Sequence, residues 1–203
     1  MFSFFTELNR KRPPAELLDF VHNTTCPIAH AADDRSVMET HEALPYQVAT
    51  ARTFIGKTPY RIGPSAIGCR DNPHGATFTP NPDNQRVCLV KSDPRQRALF
   101  GAAWTLAYIA SFAPTGVEAV CLGAPTGALG LIHRSGSGAT PYYDALGRSA
   151  VYPAYHVAAG LMILSTLISL PGTSTEALPR PGISTPSLIS LPSSTSLATA
   201  TIA

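Results

Sequence analysis

Thr25-Cys26-Pro27-Ile28-Ala29 is followed by His30-Ala31-Ala32-Asp33-Asp34, a short weakly polar run that ends in a cluster of chemically active side chains. The alternation occurs three more times. Residues 2–5 precede Thr6-Glu7-Leu8-Asn9-Arg10, residues 60–63 precede Pro64-Ser65, and residues 117–122 precede Gly123-Ala124-Pro125-Thr126. An amphipathic stretch follows each time. Buried parallel strands read as short continuous apolar runs, and the crossovers between them must be helices that cover the sheet. The expected fold is therefore α/β, built of four parallel βα units, with strands at residues 2–5, 25–29, 60–63 and 117–122. Four such units are half of an eight-stranded βα barrel.

The helices follow from local signals. Pro13-Pro14 opens a helix to about residue 20, with proline in the first turn where a missing N–H costs nothing. Asp34 is placed to cap a long helix over residues 35–54, bent at Pro45 and closed by Gly56. Asp93-Pro94 starts a helix to about residue 112, with Leu99, Ala103, Leu106 and Ile109 at helical spacing. A last helix starts near Tyr152-Pro153. Two Gly- and Pro-rich loops, residues 64–92 and 123–149, separate these elements, and loops of that length are often functional.

Composition sets the limits. The net charge of +2 is too small to imply a nucleic-acid partner. Charged residues make up 14% of the chain, low against a typical quarter, and the cause is local. Over residues 171–203 only Glu176 and Arg180 are ionisable, and Ser, Thr and Pro dominate. That segment is expected to be a disordered tail beside a partial barrel domain at residues 1–170. Cys26, Cys69, Cys88 and Cys121 form no CxxC pair, so neither a zinc site nor a disulfide framework is expected, and a reducing cytoplasmic setting is the default. No secretory leader or membrane partner is expected. Residues 1–5 are too short for a leader's apolar region, and residues 157–170 are too short to cross a bilayer.

In parallel α/β folds the polar residues just past the strand C-termini carry the chemistry. Glu7 is expected two residues beyond a strand, as a general acid or base, with Asn9 on the same alternate face as a substrate contact. His30 with Asp33 or Asp34 forms a base-and-orienter pair or two ligands of a divalent metal. Asp34 is either a helix cap or a substrate contact. Ser65 lacks the G-x-S-x-G elbow of a nucleophilic serine and is read as a substrate hydrogen-bonding group. Arg70 suits the carboxylate of a bound ligand, or pairs with Asp71. No nucleotide-binding glycine loop is present, since Gly123-Ala124-Pro125-Thr126-Gly127 lacks the Lys and spacing of a phosphate loop.

Four segments together resemble one family. Phe4-Phe5-Thr6-Glu7-Leu8-Asn9-Arg10, Cys26–Asp34, Arg61-Ile62-Gly63-Pro64-Ser65-Ala66-Ile67-Gly68 and Val117–Gly127 are similar to the bacterial D-apionate lactonases over roughly residues 1 to 165. The resemblance implies the C-terminal half of a (β/α)8 (TIM) barrel. It also implies hydrolysis of a sugar-acid lactone, D-apionolactone to D-apionate, in apiose catabolism, with no organic cofactor. The resemblance assigns no residue roles; from strand-end position and chemistry the candidate catalytic set is Glu7, His30 and Asp33, with Asn9, Asp34, Ser65 and Arg70 as candidate substrate contacts and no metal assigned. A glycoside hydrolase-like enzyme is the alternative within the barrel class. A half-barrel would expose two sheet edges and one core face, so the third expectation is an inactive fragment that self-associates.

Overall fold

Four strands, β1 (Phe2–Phe4), β2 (Val21–Thr24), β3 (Tyr60–Ser65) and β4 (Ala119–Leu122), lie side by side in that order, and every neighbouring pair is parallel. The computed structural model describes residues 2–72, 74–136 and 140–168, so the tail expected over residues 171–203 lies outside the described residues. Helix α1 (Phe5–Lys11) follows β1, and α2 (Asp34–Glu39) and α3 (Leu44–Ile55) follow β2. Helix α4 (Leu99–Phe112) follows β3, and α5 (Pro153–Ile168) follows β4 and packs chiefly on α4. No described helix is long and apolar enough to cross a membrane.

The pleat sorts the strand residues between two faces. Val21, Tyr60, Ile62, Val120 and Leu122 are buried in one core with Val37, Val48, Ile55, Trp104, Tyr108 and Phe112. The alternate residues His22, Arg61, Ala119 and Cys121 are only half-buried on the opposite face. There Arg61 pairs with Glu118 at 2.5 Å, and its guanidinium lies 4.1 Å from the centre of the Phe20 ring.

Gly63 holds β3 close against β4. Its φ of +119° is outside the range of L side chains, and a Cβ there would fall on the Cys121 carbonyl.

Several sequence expectations are corrected. The second strand is Val21–Thr24, and residues 25–29 lie beyond its C-terminal end. Pro27 has no N–H to give to a ladder. The true strand is hidden by its polarity, because buried Asn23 is satisfied by the Tyr60 hydroxyl at 2.5 Å. Residues 5–11 are helix rather than strand end, so Glu7 and Asn9 both sit on α1. Where a helix over residues 13–20 was expected, there is one 3-10 turn, Ala15–Leu17. Leu17 and Leu18 are exposed.

The cap of α2 is Asp33, whose side chain accepts from the Ser36 N–H at 2.9 Å; Asp34 is the first helical residue. The long helix after it is broken by a 3-10 turn, Thr40–Ala43, which lets Pro45 fall in the first turn of α3, where its missing N–H costs nothing. On α4 the expected face is turned outward: Leu99 is 78% and Leu106 50% exposed, while Trp104, Tyr108 and Phe112 are buried. The expected Gly-rich loop after β4 holds a second small sheet. In it β5 (Ala124–Thr126) pairs parallel with β6 (Gly130–His133), and β6 pairs antiparallel with β7 (Ala150–Val151).

Candidate active site

At the C-terminal ends of β2 and β3 the chain builds a run of hydroxyls. The Tyr108 hydroxyl lies 2.7 Å from Thr25 Oγ1, and Thr25 Oγ1 donates to Ser65 Oγ at 3.2 Å. Ser65 Oγ lies 3.3 Å from Thr24 Oγ1, which donates to the Pro64 carbonyl at 2.5 Å. The Thr25 backbone N–H also reaches Ser65 Oγ, at 3.2 Å. Because Thr24 and Thr25 donate, the protons run in one direction, from Tyr108 through Thr25, Ser65 and Thr24 to a backbone carbonyl. Each member polarises the next. Burial pushes the Tyr108 phenol up to about 12, so it is a neutral hydroxyl at working pH. No imidazole or carboxylate among the described residues hydrogen-bonds Ser65, so it has no base to activate it.

Thr24, Thr25 and Tyr108 of this run form the floor of a cavity of about 370 Å³. Phe4, Phe5 and Thr6 close it on the β1 side, and Gln47 and Leu44 on the α3 side. Trp104 and Tyr108, stacked with centroids 4.6 Å apart, form its aromatic wall. His30 and His74 stand at its rim with ring centroids 5.3 Å apart. Among the described residues no Asp or Glu lines it. The indole N–H of Trp104 and Nε2 of the neighbouring His41 are buried with no protein partner. Cys26, on the same wall, is held protonated, its thiol pushed up by the hydrogen bond with Cys69 and by burial. The same bond lowers the Cys69 thiol.

Of the residues singled out in the sequence, the cavity gathers His30 at its rim and Ser65 behind its floor. Glu7 points elsewhere, its carboxylate 2.6 Å from Lys11 one helical turn on. Asn9 on the same helix accepts from Arg12 at 3.1 Å. Asp33 is occupied as the α2 cap, and its interaction with Ser36 lowers its carboxyl below the usual range. Asp34 faces a separate arginine cluster, 2.7 Å from Arg86 and 3.0 Å from Arg95. Arg70 donates to the Gly123 carbonyl at 2.8 Å and makes no ion pair with Asp71. Among the described residues there is no group of three or more His, Cys, Asp or Glu able to hold a metal ion.

Sequence reading missed Thr25, Tyr108, Trp104, Gln47 and His74. The signal for the aromatic wall was present: Trp104, Tyr108 and Phe112 recur every four residues on one helix.

Comparison with known proteins agrees with this architecture. The D-apionate lactonase TIM-barrel domain matches residues 1–166. A D-apionate lactonase of Brucella anthropi is 48% identical over 131 residues, covering 64% of this chain and 22% of that protein. The chain thus spans about a fifth of the length of this curated relative. No solved structure matches.

Proposed function

Since this chain belongs to the D-apionate lactonase family through its TIM-barrel domain, we propose that it supplies one wall of the site of a sugar-acid lactone hydrolase, with D-apionolactone as substrate and D-apionate as product. The observation that carries the reading is the cavity at the C-terminal ends of the parallel strands, floored by fixed hydroxyls and rimmed by His30. That is where parallel α/β enzymes place their chemistry.

Lactone hydrolysis adds a water oxygen to the ring carbonyl, breaks the ring C–O bond and returns a proton to the released hydroxyl. His30, reaching the cavity from the loop after β2, is the group positioned to take the proton from water. The base role passes to it from Glu7 and Asp33, which are held by Lys11 and by the α2 backbone. Thr25, held from behind by Ser65, offers its hydroxyl to the substrate, and Trp104 gives the carbon skeleton an apolar wall. The test is to exchange the matching segment of the Brucella anthropi enzyme for residues 1–166. A hybrid that hydrolyses D-apionolactone supports the reading; a folded hybrid with no activity refutes it.

The same reading makes the four strands half of the barrel. The face that bears His22, Arg61 and Cys121 is only half-covered, whereas a closed barrel fills that space with side chains. The 203-residue chain by itself is therefore expected to self-associate and to hydrolyse D-apionolactone far more slowly than a full-length relative. A stable monomer with a comparable rate, by solution mass and initial-rate assay, would overturn this part.

A further inference from the structure

The loops that follow β2, β3 and β4 enclose a second cleft, of about 460 Å³, lined by Asp34, Asn84, Arg86, Arg95, Arg97 and Tyr143 among others. It shares no lining residue with the hydroxyl cavity. Three guanidiniums meet here, and their surroundings differ. Arg95 is neutralised: its Nε and Nη2 lie 3.0 and 2.7 Å from the Asp93 carboxylate, and its Nη1 lies 3.0 Å from Asp34. Arg86 shares Asp34 at 2.7 Å and is otherwise open to solvent.

Arg97 has no such partner. The residue is 8% exposed, yet its guanidinium bonds only to neutral acceptors, Ser92 Oγ at 3.0 Å and Asn84 Oδ1 at 2.6 Å. Among the described residues no carboxylate lies within ion-pair distance of it. The cluster holds three positive charges against the two carboxylates of Asp34 and Asp93. A buried guanidinium without a counter-charge is costly, and a bound anion removes that cost. Two of its five N–H donors are used, which leaves donors of fixed direction.

The wall behind is rigidly packed. The Tyr143 hydroxyl donates to the Arg97 carbonyl at 2.9 Å. The Tyr143 ring sits edge-on to Tyr152 at 4.7 Å and against His133 at 5.6 Å. Arg97 is thus held in place by bonds to both its backbone and its side chain before any ligand arrives.

We propose that this cleft is a binding site for a small oxyanion, with the Arg97 guanidinium as its buried anchor and Arg86 as a second, exposed contact. Two sources share that chemistry, the carboxylate of a sugar acid and inorganic phosphate, and guanidinium forks bind both. The site does not depend on which reaction the chain takes part in.

The test is isothermal titration of the 203-residue chain with sodium gluconate and with inorganic phosphate at fixed ionic strength, with glucose as the neutral control. Saturable binding of either oxyanion, and none of glucose, is expected. Tighter gluconate binding assigns a sugar-acid site; tighter phosphate binding assigns a phosphate site. Arg97→Gln should weaken binding by about tenfold or more, the loss of a charge-assisted hydrogen-bond pair. Arg86→Gln should weaken it by a smaller factor, and it guards against misfolding of the buried variant because Arg86 is exposed. Absence of saturable binding to the wild-type chain overturns the proposal. So does unchanged affinity in a folded Arg97→Gln chain or, if that chain does not fold, unchanged affinity in Arg86→Gln.

Discussion

Replacing Asp93 by Asn tests how the rim of the candidate site is held together. Asp93 is fully buried and accepts three hydrogen bonds from one residue: the Arg95 backbone N–H at 2.9 Å, Nε at 3.0 Å and Nη2 at 2.7 Å. Arg95 in turn donates to the Ala32 carbonyl at 2.8 Å and to Asp34. Arg95, oriented by its pair with Asp93, thus ties the segment before α4 to the loop after β2, which carries His30. Asn keeps the shape and one acceptor but removes the charge. Breaking a buried pair from one side costs about 3 to 5 kcal/mol. Arg95 retains Asp34, which is 46% exposed and so only partly compensates. The lower end, about 3 kcal/mol, is therefore expected. With a urea dependence of about 2 kcal/mol per molar, the unfolding midpoint should fall by about 1.5 M at constant slope. Glu118→Gln is the control: it removes the solvent-exposed pair with Arg61, whose worth is about 1 kcal/mol or less. If Asp93→Asn moves the midpoint no further than Glu118→Gln, the Asp93–Arg95 pair does not hold the rim.

Burial lowers the proton affinity of His41, which packs against Trp104 and Tyr108. The unfolded chain therefore takes up a proton near the ordinary value of 6.5 while the folded chain does not, so stability is full above that pH and declines as pH falls through 6.5 toward the folded value. Urea midpoints measured between pH 7.5 and 5 should show that decline, and His41→Leu should reduce its slope; equal slopes would mean that His41 titrates normally. Asp33→Ala should speed amide exchange at Ser36 and through the first turn of α2, whereas Asp34→Ala should leave the Ser36 amide protected. Gly63→Ala should abolish soluble folded protein, because its Cβ collides with the Cys121 carbonyl at a positive φ; a folded Gly63→Ala chain with an unchanged melting temperature would show that β3 and β4 are not so closely held.

How far the sequence revealed this arrangement can be followed residue by residue. Tyr60 to Gly63 and Val120 to Leu122 are apolar runs because both strands bury one face in the core, so β3 and β4 were legible. Strand β2 was not, since Asn23 and Thr24 are buried with their polar groups satisfied by Tyr60 and Pro64, partners 37 and 40 positions away. The displacement of β2 carried the site with it. His30 still reached the cavity because its loop follows the strand in either placement. Glu7 did not, since an i, i+4 pair with Lys11 suits a helix better than a strand end. Helix α4 is apolar on nearly every side, so periodicity alone could not choose its buried face. The ring size of Trp104, Tyr108 and Phe112 decided it. The arginine cluster had no local signature, because Asp34, after β2, meets Arg86 and Arg97, both after β3, only once the chain has folded.

The central claim is that the cavity rimmed by His30 is where the lactone is opened. The most direct measurement is kcat/KM for D-apionolactone in the hybrid that carries residues 1–166, with His30 and with His30→Ala. If the imidazole takes the proton from water, the substitution lowers the value by about a hundredfold or more, while Glu7→Gln leaves it nearly unchanged. A folded His30→Ala hybrid as active as its parent would contradict the account.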